Sequence, residues 1–315
     1  MSRCIAASVD TAGALELRGR EVPGRRVTTM ANEEMKDIWE GNADLWVRLS
    51  PVFDSVFEPV TEVLTGTLSG LEARERVLDV GCGSGTLLAA VVERGAAAVG
   101  VDISPPMAEG ARARVPEAEV LVADAQTADL LAVAPGGPFA RVISRFGVMF
   151  FSDSQAAFAN IRSAAATGAP LTFMCWRSRD ENPMFTQGIT GLLARLDPPP
   201  PPPVPGSPGP NAFADPDRVR ALLEGAGWEG VSIEPFDFTL DFSKRGGDGV
   251  EERLAVILGN EGGRMAQEQL EQQLGADGWE SVLEELRAEL RESRVDGAIR
   301  FPGACWLVHA RNPGT

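Results

Sequence analysis

The sequence predicts an α/β fold, a doubly wound and mostly parallel sheet, and three observations predict it. The run Arg76-Val77-Leu78-Asp79-Val80 is apolar and rich in β-branched residues, the pattern of a strand buried on both faces. It breaks into glycines at alternate positions, Gly81, Gly83 and Gly85, and residues 86–94 then read as a helix that Gly95 is placed to end. Further strands alternate with helical stretches: residues 97–101 lead to Asp102, and residues 119–123 lead to Asp124. A strand, a loop of bare backbone and a helix present a surface that a ligand can approach closely.

The acids at the strand ends carry more information than the glycines. An acid at the tip of the second strand of such a unit commonly accepts hydrogen bonds from the two ribose hydroxyls of a nucleoside, and Asp102 stands there. Asp124, followed by Ala125 and Gln126, falls on the same rim, within reach of an adenine amino group. The NAD fingerprint has glycine at its first, third and sixth positions; here the sixth is Thr86, and glycine falls at the fifth. The loop carries no lysine, so it is not the phosphate cradle of NTPases.

In residues 77–85, 99–104, 122–126 and 142–151 the sequence resembles the class I S-adenosylmethionine (SAM)-dependent methyltransferases, most nearly their small-molecule members. The resemblance covers most of residues 31–311. It implies a Rossmann-like sheet of seven strands in the order 3-2-1-4-5-7-6, the last antiparallel, with an N-terminal helical lid and a helical insertion before the last strand. It implies SAM as cofactor, held by Asp79, Gly81, Cys82, Gly83, Asp102, Ile103, Met107, Asp124, Ala125, Gln126 and Ser144. Within that set Asp102 would hold the ribose, Asp79 would orient the methionyl ammonium group, and Asp124 with Ala125 would bracket the adenine. Trp39 and Trp46, on the lid, either face the sulfonium or the substrate or pack the lid onto the core. Arg145, Phe146, Met149 and Trp176 are the candidates for the acceptor pocket.

Taken in order, residues 1–30 lack a clear period and the apolar middle of a signal peptide, and are expected to be a disordered extension, with Met30 an alternative start. Residues 31–315 are then the methyltransferase domain. Its lid, residues 31–70, is expected to hold one helix up to Gly41, a second opened by Asn42, and a third after Pro51 with Phe53, Val56, Phe57, Val60 and Leu64 on one face. Ser104 and Pro105 open the helix after the second strand. The fourth strand, residues 139–143, runs into Ser144 and Arg145, and Asp153 or Ser154 caps the next helix. The fifth, residues 171–176, is apolar throughout. Residues 177–213 form a proline-rich insertion with six consecutive prolines from Pro198, read as an extended spacer rather than a docking segment. Pro235 puts the sixth strand, residues 231–236, at a sheet edge. Residues 240–300 form a helical cap, and residues 304–311 close the sheet.

The bulk numbers bound the partners. A chain of 315 residues with net charge −16 repels nucleic acid and anionic membrane, which favours a small-molecule acceptor. Cys4, Cys82, Cys175 and Cys305 are scattered and histidine occurs once, which argues against a metal cluster and for free thiols in a reducing cytoplasm. No apolar run is long enough to span a membrane. With no tyrosine and with His309 in a closing strand, no general base stands out. That favours nitrogen or carbon over oxygen as the methyl acceptor, in chemistry suited to specialised metabolism. The alternative is a SAM-binding regulatory or scaffold protein without transfer activity; a nicotinamide oxidoreductase ranks third.

Overall fold

The computed structural model describes residues 32–201, 204 and 206–314; the expected extension at residues 1–30 lies outside them. A seven-stranded sheet has the order β3-β2-β1-β4-β5-β7-β6. Its strands are β1 Arg76–Val80, β2 Ala97–Asp102, β3 Glu119–Val122, β4 Arg141–Arg145, β5 Pro170–Trp176, β6 Glu229–Asp241 and β7 Arg300–Arg311. The first five are parallel; β7 runs antiparallel to both β5 and β6. The order turns back between β1 and β4, and open sheets bind ligands at the carboxyl ends of strands beside such a reversal.

Helices α1 Glu33–Arg48, α2 Ser50–Val56 and α3 Glu58–Gly66 precede the sheet. Next come α4 Thr86–Glu93, α5 Pro105–Arg114, α6 Leu130–Val133 and α7 Ser154–Ala164, followed by α8 Ile189–Leu193 and α9 Pro216–Gly225. The cap consists of α10 Val250–Gly259 and α11 Glu261–Glu292, the latter broken at Gly275. The central strands carry Val77, Leu78, Val142, Leu171 and Phe173 with no exposed surface, each stabilising the fold by about 1.5–3 kcal/mol. Phe53, Val56, Phe57, Val60 and Leu64 fasten the lid to that core, but from two helices, α2 and α3, that part at Phe57 where the sequence predicts a single helix.

Three further local expectations need correction. Helix α1 passes through Gly41 without a break. A glycine costs a helix about 1 kcal/mol, which the packing of Ala43 and Trp46 on the core outweighs. Asn42 therefore opens no helix; it is buried mid-helix and its side-chain oxygen accepts from Arg264 of α11. Strand β6 is far longer than its apolar residues suggest, because it pairs with β7 along most of its length. The cap inserted between them consequently shrinks to residues 242–299. Pro235 is tolerated because β6 is the edge strand.

Candidate active site

Three adjacent strands, β1, β2 and β3, bring the predicted acids to one rim. The register pairs Asp79 of β1 with Gly100 of β2, so Asp102 projects two residues beyond it. Asp124 follows the end of β3, where the Ala123 amide donates to the Asp102 carbonyl at 3.0 Å. Asp102 organises the loop as well as facing it: Oδ2 accepts from the Gly83 amide and Oδ1 from the Ser104 amide, both at 2.9 Å. A carboxylate has about four lone-pair positions, so acceptor capacity remains for an incoming hydroxyl. Burial raises the Asp102 carboxyl, and the amides of Ser104, Gly83 and Ile103 hold it back.

Asp79 is 2% exposed, and its Oδ1 has no hydrogen-bond partner. Burial pushes its carboxyl up to about 7, against the pull of Arg145 and with a further push from Asp102. A buried acceptor left unsatisfied is costly in a folded protein, and an incoming cationic donor would relieve it. The loop beside it is shaped by positive φ at Gly81, Gly83 and Gly85. Of these three, only Gly83 has open space over its Cα; Gly81 lies against the backbone of Gly147 instead. Cys82 is buried with its thiol raised well above the ordinary range by burial, then by Asp102 and Asp79, so it is a packing residue and not a nucleophile.

The rim around Asp124 is equally organised. Asp124 Oδ1 accepts from the Gln126 amide at 2.9 Å, and the Ala125 carbonyl accepts from Asn160 Nδ2 at 2.9 Å. Met107 is buried in the first turns of α5, and Ile103 is half-buried beside it. Ser104 precedes α5 but does not cap it; its hydroxyl points at the Trp39 carbonyl, 3.5 Å away, and so ties α1 to this rim. Ser144 donates to the Val80 carbonyl at 2.7 Å and accepts from the Gly147 amide, which makes it a fastener between β4 and β1.

At the other end Arg145, its side chain 15% exposed, is held among polar and aromatic partners. It donates to Thr61 of α3 and Thr86 of α4, lies 3.6 Å from Asp54 of α2, and sits over the Phe57 ring. Burial lowers its pKa, and Asp54 and then Asp79 pull it back up. Asp54 in turn accepts from Thr86 and pairs with Arg114, both at 2.7 Å. This cluster is the lid's polar anchor.

The candidate pocket residues meet in an aromatic cluster. Phe146 and Trp176 stack 4.5 Å apart at 2°, with Phe57 against both and Phe185 and Phe238 against Trp176. Phe146 has φ +67°, a conformation that costs a bulky residue about 1–3 kcal/mol and that its neighbours enforce. Met149 is buried and its sulfur accepts from the Trp176 amide. Trp46 stacks on Phe53 at 3.9 Å, and Trp39 meets Trp46 and Phe150 edge-on, so both tryptophans pack between lid and core. Sequence reasoning missed Asn32, Asp54, Thr61, Thr86, Gly147 and Ser152, all of which bear on the rim. His309 hydrogen-bonds Thr172 near the start of β5, at the opposite end of the sheet from the tips.

A family model for the methyltransferase domain matches residues 77–168. The demethylmenaquinone methyltransferase of Thermus thermophilus is 31% identical over 173 residues, covering 50% of this chain and 76% of that protein. An uncharacterized protein of Mycobacterium tuberculosis is 29% identical over 124 residues, covering 39% of this chain and 44% of its own length. Among solved structures, Haemonchus contortus phosphoethanolamine N-methyltransferase 2, in complex with phosphomonomethylethanolamine and S-adenosylhomocysteine, aligns with a TM-score of 0.48 at 14% identity, over 87% of this chain and 60% of that one. With its seven-stranded sheet, its glycine loop and a relative matched over three quarters of that relative's length, the chain belongs to the class I S-adenosylmethionine-dependent methyltransferases.

Proposed function

We propose that this enzyme methylates a small, flat, apolar molecule at nitrogen or carbon, and that its strand tips hold SAM in the roles their positions suggest. The observation that carries the reading is the convergence of Asp79, Asp102 and Asp124 on one rim beside an open Gly83. The residues fit the cofactor: Asp79 Oδ1 lacks a partner, Asp102 retains acceptor capacity, and Gly83 leaves room for a ligand against its backbone. When bound, SAM would supply a methyl group activated by its sulfonium, open to in-line attack at the methyl carbon, with the neutral thioether as the leaving group.

The chain's own part is positioning and exclusion of water. Asp79 would pair with the ammonium group, Asp102 would accept from the ribose hydroxyls, and Asp124 would accept from the adenine amino group. Ala125, Gln126, Ile103 and Met107 would line the adenine side, with Gly81, Cys82 and Ser144 holding the loop in place. Phe146, Trp176, Phe57 and Met149 supply an apolar wall at the tip of β4, where an acceptor would meet the methyl. His309 sits away from that wall, which supports an acceptor that needs no base. The net charge of −16 supports an acceptor other than nucleic acid, and the free thiols of Cys82, Cys175 and Cys305 support a cytoplasmic setting. Among the described residues no helix is long and apolar enough to cross a membrane.

The test is incubation with methyl-labelled SAM and a panel of small amines, indoles, phenols and demethylmenaquinone. Label on an amine or ring carbon is the expected outcome. Label confined to oxygen would overturn the acceptor assignment, and SAM binding without turnover on any acceptor would favour a regulatory role.

A further inference from the structure

The residue that opens the lid makes none of the contacts its position predicts. Asn32 stands at the N-cap of α1, where its side chain would ordinarily accept from the helix's first amides, yet it makes no such bond. It is 4% exposed and reaches across the molecule instead. Its Nδ2 donates to Asp124 Oδ1 at 2.9 Å and to Gln126 Oε1 at 3.2 Å, and its Oδ1 accepts from the Ser152 amide at 2.8 Å. Each partner lies at least 92 positions away in sequence. The helix thus forgoes a cap that contributes about 1 kcal/mol, in favour of a buried polar cluster on the cofactor rim.

The chemistry of that contact is specific. A carboxamide sets an NH2 donor beside a carbonyl acceptor. The pairing edge of adenine sets its exocyclic NH2 beside a ring-nitrogen acceptor, in the same order. Asn32 therefore offers Asp124 the donor, and the Ser152 amide the acceptor, that an adenine would offer. The lid is held over this place by two further contacts of α1: the Trp39 carbonyl receives the Ser104 hydroxyl, and Val47 packs on Gly110 of α5.

We infer that Asn32 is an internal stand-in for the adenine, so that the first side chain of the lid occupies the adenine subsite until SAM displaces it. The inference rests on the cofactor reading given above. Only the fraction of molecules with Asn32 withdrawn can bind, and apparent affinity falls by that fraction. Lid release and cofactor entry become one event.

Calorimetric titration of SAM and S-adenosylhomocysteine into the full chain tests this, with Asn32→Ala removing the stand-in and Asn32→Asp repelling it from Asp124. Both variants are expected to tighten Kd, by roughly 5-fold or more. In the ligand-free protein both should also speed hydrogen exchange in residues 33–48. Unchanged or weaker binding by the variants, with wild type binding normally, overturns the stand-in and leaves the cofactor reading intact. No binding by wild type or either variant overturns the cofactor reading, and the stand-in with it. Unaltered exchange in residues 33–48 overturns the latch independently of any ligand.

Discussion

Gly81 and Gly147 meet backbone to backbone: a Cβ on Gly81 would lie 2.7 Å from the Gly147 Cα, and one on Gly147 would lie 2.5 Å from the Val80 carbonyl oxygen. The loop after β1 and the turn after β4 are therefore packed as one piece, with the Gly147 amide also bound to Ser144. Gly147→Ala is expected to destabilise the protein by about 1–3 kcal/mol through overpacking. Gly81→Ala should cost more, because its φ of +67° adds a penalty of about 1 kcal/mol. Urea unfolding measures both, and a Gly147→Ala variant as stable as wild type would show that the turn gives way freely.

Asp102 supports the loop and, in the proposed function, contacts the ligand as well. Asp102→Ala is expected to weaken SAM binding by about 1.5–3 kcal/mol, the range for hydrogen bonds to a charged acceptor. It should also loosen the loop, since the Gly83 and Ser104 amides lose their acceptor. Calorimetry reads the first effect and hydrogen exchange at residues 81–86 the second. Unchanged affinity would remove Asp102 from the site.

Asp79 makes stability depend on pH. Its carboxyl is raised to about 7 in the folded chain, so folding takes up a proton. Its contribution is full below about pH 4, the unfolded value, and is lost as pH rises through about 7. Asp79→Asn removes this dependence and should gain stability relative to wild type between pH 5 and pH 8, by up to about 4 kcal/mol. Denaturation at the two pH values checks it. The same variant should bind SAM more weakly at pH 8, where wild type presents the anion.

Asp54 ties the lid to α4 through Thr86 and to α5 through Arg114, and compensates the largely buried Arg145. Asp54→Ala should destabilise by about 1–3 kcal/mol, since it leaves Arg145 with less of its compensating charge. It should also increase proteolytic cutting within residues 33–66. A lid as resistant as wild type would mean that Phe53, Phe57 and Val60 hold it alone.

What was legible in the chain follows from the range of the forces involved. Strands β1, β2 and β5 could be read because each is a largely apolar run, and the acids at the strand ends because a charge there has no place inside the sheet. The lid's contacts could not be read. Asn32 meets Asp124, and Arg145 meets Thr61, across long stretches of chain, and nothing local to any of these residues marks the pairing. Gly41 misled for the opposite reason: its local preference is real but smaller than the packing that overrides it. The polar outer half of β6 was invisible because its structure comes from its partner strand, not from its own residues.

The β6–β7 ribbon hands its insertion back to the lid. Pairing stops at Asp241 and Arg300, yet residues 242–299 do not hang free: Arg264 of α11 donates to Asn42, and Gly259 packs against Leu45, both on α1. Any tilt of the cap is thereby passed to the first helix of the lid, and the long two-stranded arm acts on it as a lever.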